Sequence, residues 1–307
     1  MKKIIYLPIL MLVLTLTQPV AVNAQQVADM GYTYKIKKPA YELGKGPIIG
    51  FDEAHNNEQT LKGTYFPFNK LLSQDGYNLK PVRERLTPGA LKDVGIFVTV
   101  NAMYDPGNWN LPIRSVFKND EIEVIFDWVN NGGSLFLITD HMPCSGSAHD
   151  LAAKFGFNLI NGTAIRKDRK PEKFSKEKHT LHASVITNTP GAEIDSIMIW
   201  GGAAFIAPKN AEIISSLSDD YEVFLPSKTS DISFPIADTI PKISGSGLAN
   251  GAFLKAGKGR VVVFVDGAAF TAQLEGIKSK KRGINNPGAS QNAQFLLNII
   301  RWLDKKL

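Results

Sequence analysis

One cysteine, Cys144, stands in a chain of 307 residues. An internal disulfide is therefore excluded, and a chain of this length can bury enough apolar surface to do without one. Histidine is scarce too, with five in all, so imidazole chemistry near neutral pH has few places to sit. No spacing of Cys and His matches a fixed metal motif, and no nucleic-acid-binding module is present. There are no internal repeats. Beyond the N-terminus no apolar run approaches the roughly 20 residues a membrane span requires, so no transmembrane anchor is expected after it.

What is present begins with an export signal. Lys2 and Lys3 precede an apolar run from Ile4 to Leu16, and Val22-Asn23-Ala24 offers small residues to a signal peptidase. This pattern predicts a signal peptide over residues 1–24, a periplasmic or secreted location, and no lipid anchor. Taking 24 residues from 307 leaves a mature chain of 283. Taking Lys2 and Lys3 from 35 basic residues leaves 33 against 29 acidic ones, a mildly basic net +4. The surplus is local. Arg166, Lys167, Arg169, Lys170, Lys173, Lys176 and Lys178 form one run, and Lys278, Lys280, Lys281 and Arg282 another. Either run suits a solvated face or an anionic partner such as an acidic glycan.

Residues 25–45 read as an irregular lead-in, and residues 46–307 as a single α/β domain. Pro47–Phe51, Tyr77–Val82, Val94–Val100, Ser134–Thr139 and Val261–Val265 are candidate strands. Helices are expected near Phe66–Leu72, Asn119–Val129, Ser147–Phe155 and Ser290–Lys305. Asp120, Glu121 and Glu123 sit where the dipole of the second helix favours negative charge. Strand–helix alternation predicts a mostly parallel sheet covered on both faces. Turn-separated strands at Ile194–Ile199, Ala211–Leu217, Glu222–Leu225 and Gly251–Ala256 predict an antiparallel extension towards the C-terminus. Residues 162–191 lack periodicity and read as a surface excursion.

In open parallel sheets ligands bind beyond the carboxyl ends of the strands. Those ends carry Asp52, Glu53, His55, Asn56 and Asn57 after the first strand, Asn101 after the third, Asp140 and His141 after the fourth, and Asp266 after the last. The candidate catalytic set is Asp52, His55, Asp140 and His141, with an imidazole as proton carrier and a carboxylate orienting it. Glu53, Asn56, Asn57, Asn101 and Asp266 are candidate ligand-binding arms. Trp109 or Tyr104 could stack on a sugar face. The same four catalytic candidates could instead hold a divalent metal. Binding without chemistry would use the same pocket. Cys144 lies several residues past its strand and follows Pro143, which suits an unreactive thiol better than a nucleophile elbow.

Several stretches resemble a known family when taken in order. These are Gly50-Phe51-Asp52-Glu53-Ala54-His55-Asn56-Asn57; the run from Trp128 through Asn130-Asn131-Gly132-Gly133 to Asp140-His141; Gly257-Lys258-Gly259-Arg260-Val261-Val262-Val263-Phe264; and Asn292 to Asn298. Together they are similar to the class I glutamine amidotransferase-like superfamily. The narrower likeness is to a poorly characterised, exported bacterial branch related to auxiliary domains of gliding-type transport systems and to domains near carbohydrate-degrading enzymes. The resemblance implies a flavodoxin-like three-layer sandwich. It does not imply glutaminase activity, because Asp140 and His141 stand where those enzymes keep a cysteine, and no histidine here has a glutamate two residues on. The expected function is hydrolysis of a carbohydrate or related polar compound; the alternative is a non-catalytic binding or scaffold domain of the envelope.

Overall fold

A computed structural model describes residues 26–233 and 235–307. The expected signal peptide lies outside the described residues. Among them, no helix is long and apolar enough to cross a membrane.

The architecture is mixed α/β, built on a nine-stranded sheet. Numbered along the chain, its strands are β1 (Ile48–Asp52), β2 (Asn78–Val82), β3 (Val94–Val100), β4 (Ser134–Ile138), β5 (Asn158–Ile160), β6 (Ala204–Ile206), β7 (Glu212–Ser216), β8 (Ala249–Ala256) and β9 (Gly259–Phe264). One half is parallel, in the order β2-β1-β3-β4-β9. Counting only those five, this is the order 2-1-3-4-5 of doubly wound sheets, consistent with a flavodoxin-like fold. The other half, β8, β7, β6 and β5, is antiparallel. It enters the chain before the last parallel strand, so the extension expected at the C-terminus is an insertion between β4 and β9.

The helices are α1 (Phe66–Gln74), α2 (Asn119–Asn130), α3 (Cys144–Lys154) and α4 (Asn292–Leu303). Alternation along the strands sends side chains to opposite faces. Phe136, Ile138, Val262 and Phe264 join Phe68, Leu72, Phe295 and Ile299, the apolar stripes of α1 and α4. Leu135, Leu137, Val261 and Val263 join Ile122, Ile125 and Leu151 of α2 and α3. The parallel strands are thus apolar on both faces because helices cover both. Ser134 Oγ donates to the Leu303 carbonyl at 2.7 Å, tying β4 to the end of α4. Ser134→Ala leaves that buried carbonyl short of a partner. We expect it to cost about 1–2 kcal/mol, read as a lower denaturant midpoint at unchanged slope.

Residues 162–191 are not a surface excursion. Thr163–Arg166 pairs with Tyr221–Phe224, and Glu172–Ser175 with Ser196–Ile199. Phe174, Leu181 and Ile186 from this stretch are core residues, at most 2% exposed. Polar side chains on α4 hold it down. Asn298 Nδ2 donates to the Ile186 and Ala192 carbonyls, and the Asn292 amide bonds both backbone groups of Met198. The lead-in is also partly ordered by pairing, since Gln26–Ala28 adds to Ala272–Glu275, which in turn pairs with Lys280–Gly283.

Candidate functional site

A cleft of about 1170 Å³ opens where the parallel strands end. The loop after β1 lends it Glu58, Gln59 and Thr64; the loop after β3 lends Asn101, Met103 and Trp109; the segment after β4 lends Asp140, His141 and Cys144. Trp200, Gly201 and Gly202, between the added strands, close another side. The neighbouring strands β1 and β3 lead to opposite sides of the sheet order, and their carboxyl ends form the switch point where doubly wound sheets bind ligands. A side chain at Gly202 is forbidden, because its φ is +98° and a Cβ would lie 1.6 Å from the Val265 carbonyl oxygen.

The structure divides the four catalytic candidates. Asp140 and His141 line the cleft and are half-buried. Their geometry is local: the Asp140 carboxylate accepts the His141 backbone N–H at 3.0 Å, and Ser145 Oγ donates to the Asp140 carbonyl. His141 Nδ1 lies 2.6 Å from the Met142 carbonyl oxygen. A carbonyl can only accept, so Nδ1 carries the proton and Nε2 is the basic nitrogen of the neutral ring. The Trp109 ring centroid is 6.2 Å from that of His141.

Asp52 and His55 are not among the residues lining the cleft. They belong to a buried ion cluster beside it. His55 Nδ1 meets Asp52 Oδ1 at 2.8 Å, and Nε2 meets Glu121 Oε1 at 3.4 Å. His55 is 6% exposed, Glu121 3% and Asp52 0%. Thr99 Oγ1 and the Ala54 N–H also donate to Asp52, while the Leu86 and Lys118 N–H groups donate to Glu121. Burial opposes charge on the His55 ring. The Asp52 hydrogen bond, with the charges of Asp52 and Glu121, outweighs it and raises the pKa above its ordinary value. Glu121 was legible only as a helix-start carboxylate; its second role, facing a histidine 66 positions earlier, had no signal in the sequence.

The predicted ligand arms divide similarly. Asn101 lines the cleft with φ +46°, and its Oδ1 is buried without a protein partner. Asn56 donates to the Met103 and Tyr104 carbonyls, and Asn57 to that of Val100, stitching the loop after β1 to β3. Glu53 accepts from Leu61 N and pairs with Arg83. Asp266 is 1% exposed and accepts from Trp200, Gly201 and Ala268 N–H groups, anchoring the wall that holds Gly202. Burial, with the charge of Asp140 second, raises the Asp266 pKa. Burial likewise pushes the Cys144 thiol up, and the charges of Asp140 and Glu58 push it further, so no reactive thiolate forms. Of the other histidines, His182 Nε2 lies 2.8 Å from Ser216 Oγ, and His149 is near Asn158. Among the described residues no group of three or more His, Cys, Asp and Glu is placed to hold a metal ion.

No protein-family model matches the chain, and no curated protein is similar to it at a significant level. Solved structures are. The N-terminal domain of mmIFT52 is 14% identical, with 83% of this chain and 96% of that one covered and a TM-score of 0.57. A ThuA-like protein from Bacteroides uniformis ATCC 8492 is 13% identical, over 89% and 95% of the two chains, with a TM-score of 0.48. The exo-β-1,4-mannosidase Op5Man5 from Opitutaceae bacterium strain TAV5 is 11% identical, over 85% of this chain and 34% of that one, with a TM-score of 0.39. At 14% identity the likeness to the mmIFT52 domain concerns the fold alone.

Proposed function

We propose that this chain is an exported domain of amidotransferase-like, flavodoxin-type fold that hydrolyses a saccharide or related polar compound in the cleft, with His141 as proton carrier and Asp140 beside it. One observation carries the reading. The cleft at the strand ends brings an aspartate–histidine pair next to an indole ring, and its polar lining is underused. Asn101, Thr163 and Gln273 line it, are at most 8% exposed, and each carries a buried side-chain oxygen (Oδ1, Oγ1 and Oε1) with no protein partner among the described residues. Buried polar atoms without partners are costly, and a hydroxyl-rich ligand satisfies them. Trp109 and Trp200 offer flat apolar faces suited to sugar rings.

Hydrolysis needs a proton donor at the leaving oxygen or a base at water, within hydrogen-bond reach. His141 Nε2 supplies the base in its neutral form and the donor when protonated. Asp140 holds the His141 backbone through the N–H bond to its carboxylate. Glutamine hydrolysis through a thioester is not part of the reading, since Cys144 is buried and held protonated. The test is a screen of the exported chain against oligosaccharides and aryl glycosides, scored by reducing-end or chromophore release. Turnover that vanishes in His141→Ala supports the assignment. Turnover that persists unchanged in that variant refutes His141 as the proton carrier.

A further inference from the structure

The two basic runs of the sequence lie more than a hundred positions apart, yet they meet. Arg166, Arg169 and Lys170 line the cleft from the strand Thr163–Arg166 and the turn after it; Lys280 and Arg282 line it from the strand Lys280–Gly283. We propose that the cleft takes an anionic saccharide, its acid groups held by this basic wall. The inference rests on the reading of the cleft as a saccharide site and names the class of sugar.

The charge is partly uncommitted. Arg166 is paired with Asp168 and Arg169 with Asp238, each at 2.8 Å, and Arg282 with Glu275 at 3.3 Å. Lys170 and Lys280 have no carboxylate within ion-pair distance among the described residues. Arg282 Nε is buried without any partner, although its guanidinium also reaches Glu275. A buried guanidinium N–H with nothing to donate to favours an acceptor, and the planar fork suits a carboxylate or sulfate oxygen. Gln273, which also lines the cleft and is the cross-strand partner of Arg282, carries a buried amide oxygen with no protein partner among the described residues. Five cations line the cleft against three carboxylates, Glu58, Asp140 and Glu275.

Two of the three carboxylates stand apart from the cations. Asp140 and Glu58 follow the ends of β4 and β1, with Asp266 buried near them, whereas the cations come from the opposing strands; the third, Glu275, lies on that wall opposite Lys280 and paired with Arg282. An anionic group is repelled from the strand ends and drawn to the far wall. That orients a ligand with its neutral portion over Asp140 and His141. The volume of about 1170 Å³ exceeds the roughly 300–1,000 Å³ usual for small-molecule sites, which fits an oligomer better than a lone anion.

The test is calorimetric titration of the exported chain with a galacturonate trimer, its carboxyl-reduced neutral counterpart, and a sulfated galactose trimer, beside the double variant Lys170→Gln/Lys280→Gln. Both lysines are exposed, so the fold is expected to tolerate the change. The uronate should bind at least about tenfold tighter than its reduced counterpart. The double variant should lose about tenfold for the uronate alone, as expected for two exposed charge contacts. Tighter binding of the sulfated trimer than of the uronate supports the same wall with sulfate esters as the acid group. Equal affinity for charged and neutral trimers overturns the anionic class and leaves the saccharide site standing. Absence of binding by all three trimers overturns both.

Discussion

Replacing His55 with alanine is expected to destabilise the fold by about 3 kcal/mol or more while leaving turnover per folded molecule within a few-fold of the parent. The imidazole separates two carboxylates, Asp52 and Glu121, that are at most 3% exposed. Without it they face each other across the space it leaves, and removing one member of a buried ion cluster costs far more than the cluster contributes. The alanine also forfeits the packing of the ring against Phe117, whose centroid lies 4.5 Å away. The effect depends on pH with a definite sign. The folded-state pKa of His55 is raised, so its contribution is fully present below the unfolded value of about 6.5 and is lost as pH rises through the folded value. Urea midpoints of parent and His55→Ala should therefore lie further apart at about pH 6 than at about pH 9. A gap that stays constant across that range would show that His55 is held as a neutral ring. A large fall in turnover at full folding would return His55 to the catalytic set.

His141→Ala should behave in the opposite way. It is expected to lower kcat on the saccharide found by the glycoside screen by about 10²–10⁴-fold, the usual contribution of a positioned acid–base group, with a much smaller change in KM. Asp140→Asn should lower kcat by less, because Asp140 bonds the His141 backbone N–H rather than the ring and is not assigned to proton transfer. It keeps an oxygen to accept the His141 N–H and loses only the charge. Stability should change little in either variant, since both side chains are half-buried at the edge of the cleft rather than packed in the core. Saccharide binding that survives in His141→Ala while turnover disappears would separate recognition from chemistry. Loss of binding with no measurable turnover in the parent would point instead to a binding domain.

Much of the fold was legible from local pattern. β1, β3, β4 and β9 are continuous apolar runs, and α2 and α4 show helical spacing, because strands buried on both faces and helices buried on one leave those signatures in any sequence. Residues 162–191 defeated the same reading. Their strands are short, and their core contacts come from single residues such as Phe174 and Ile186, the second with its carbonyl bonded by Asn298 from a helix more than a hundred positions later. No window of sequence contains that bond. The position of the antiparallel strands was missed for a related reason: the order of strands in space is set by pairing, and pairing is non-local.

The candidate site shows the same boundary. That Asp52, His55, Asn101, Asp140, His141 and Asp266 stand at strand ends follows from the order of residues, because each ends or follows an apolar run whose period and length mark a strand. Which of them share a cleft does not follow, since it depends on the direction each side chain takes once the strands are laid side by side. Tertiary packing turned His55 inward between Asp52 and Glu121, spent Asp266 on three backbone N–H groups, and left Asp140 and His141 on the cleft. It also carried two distant basic runs to one wall. Charge and burial in a folded chain are properties of neighbours in space, and only the folded arrangement supplies those neighbours.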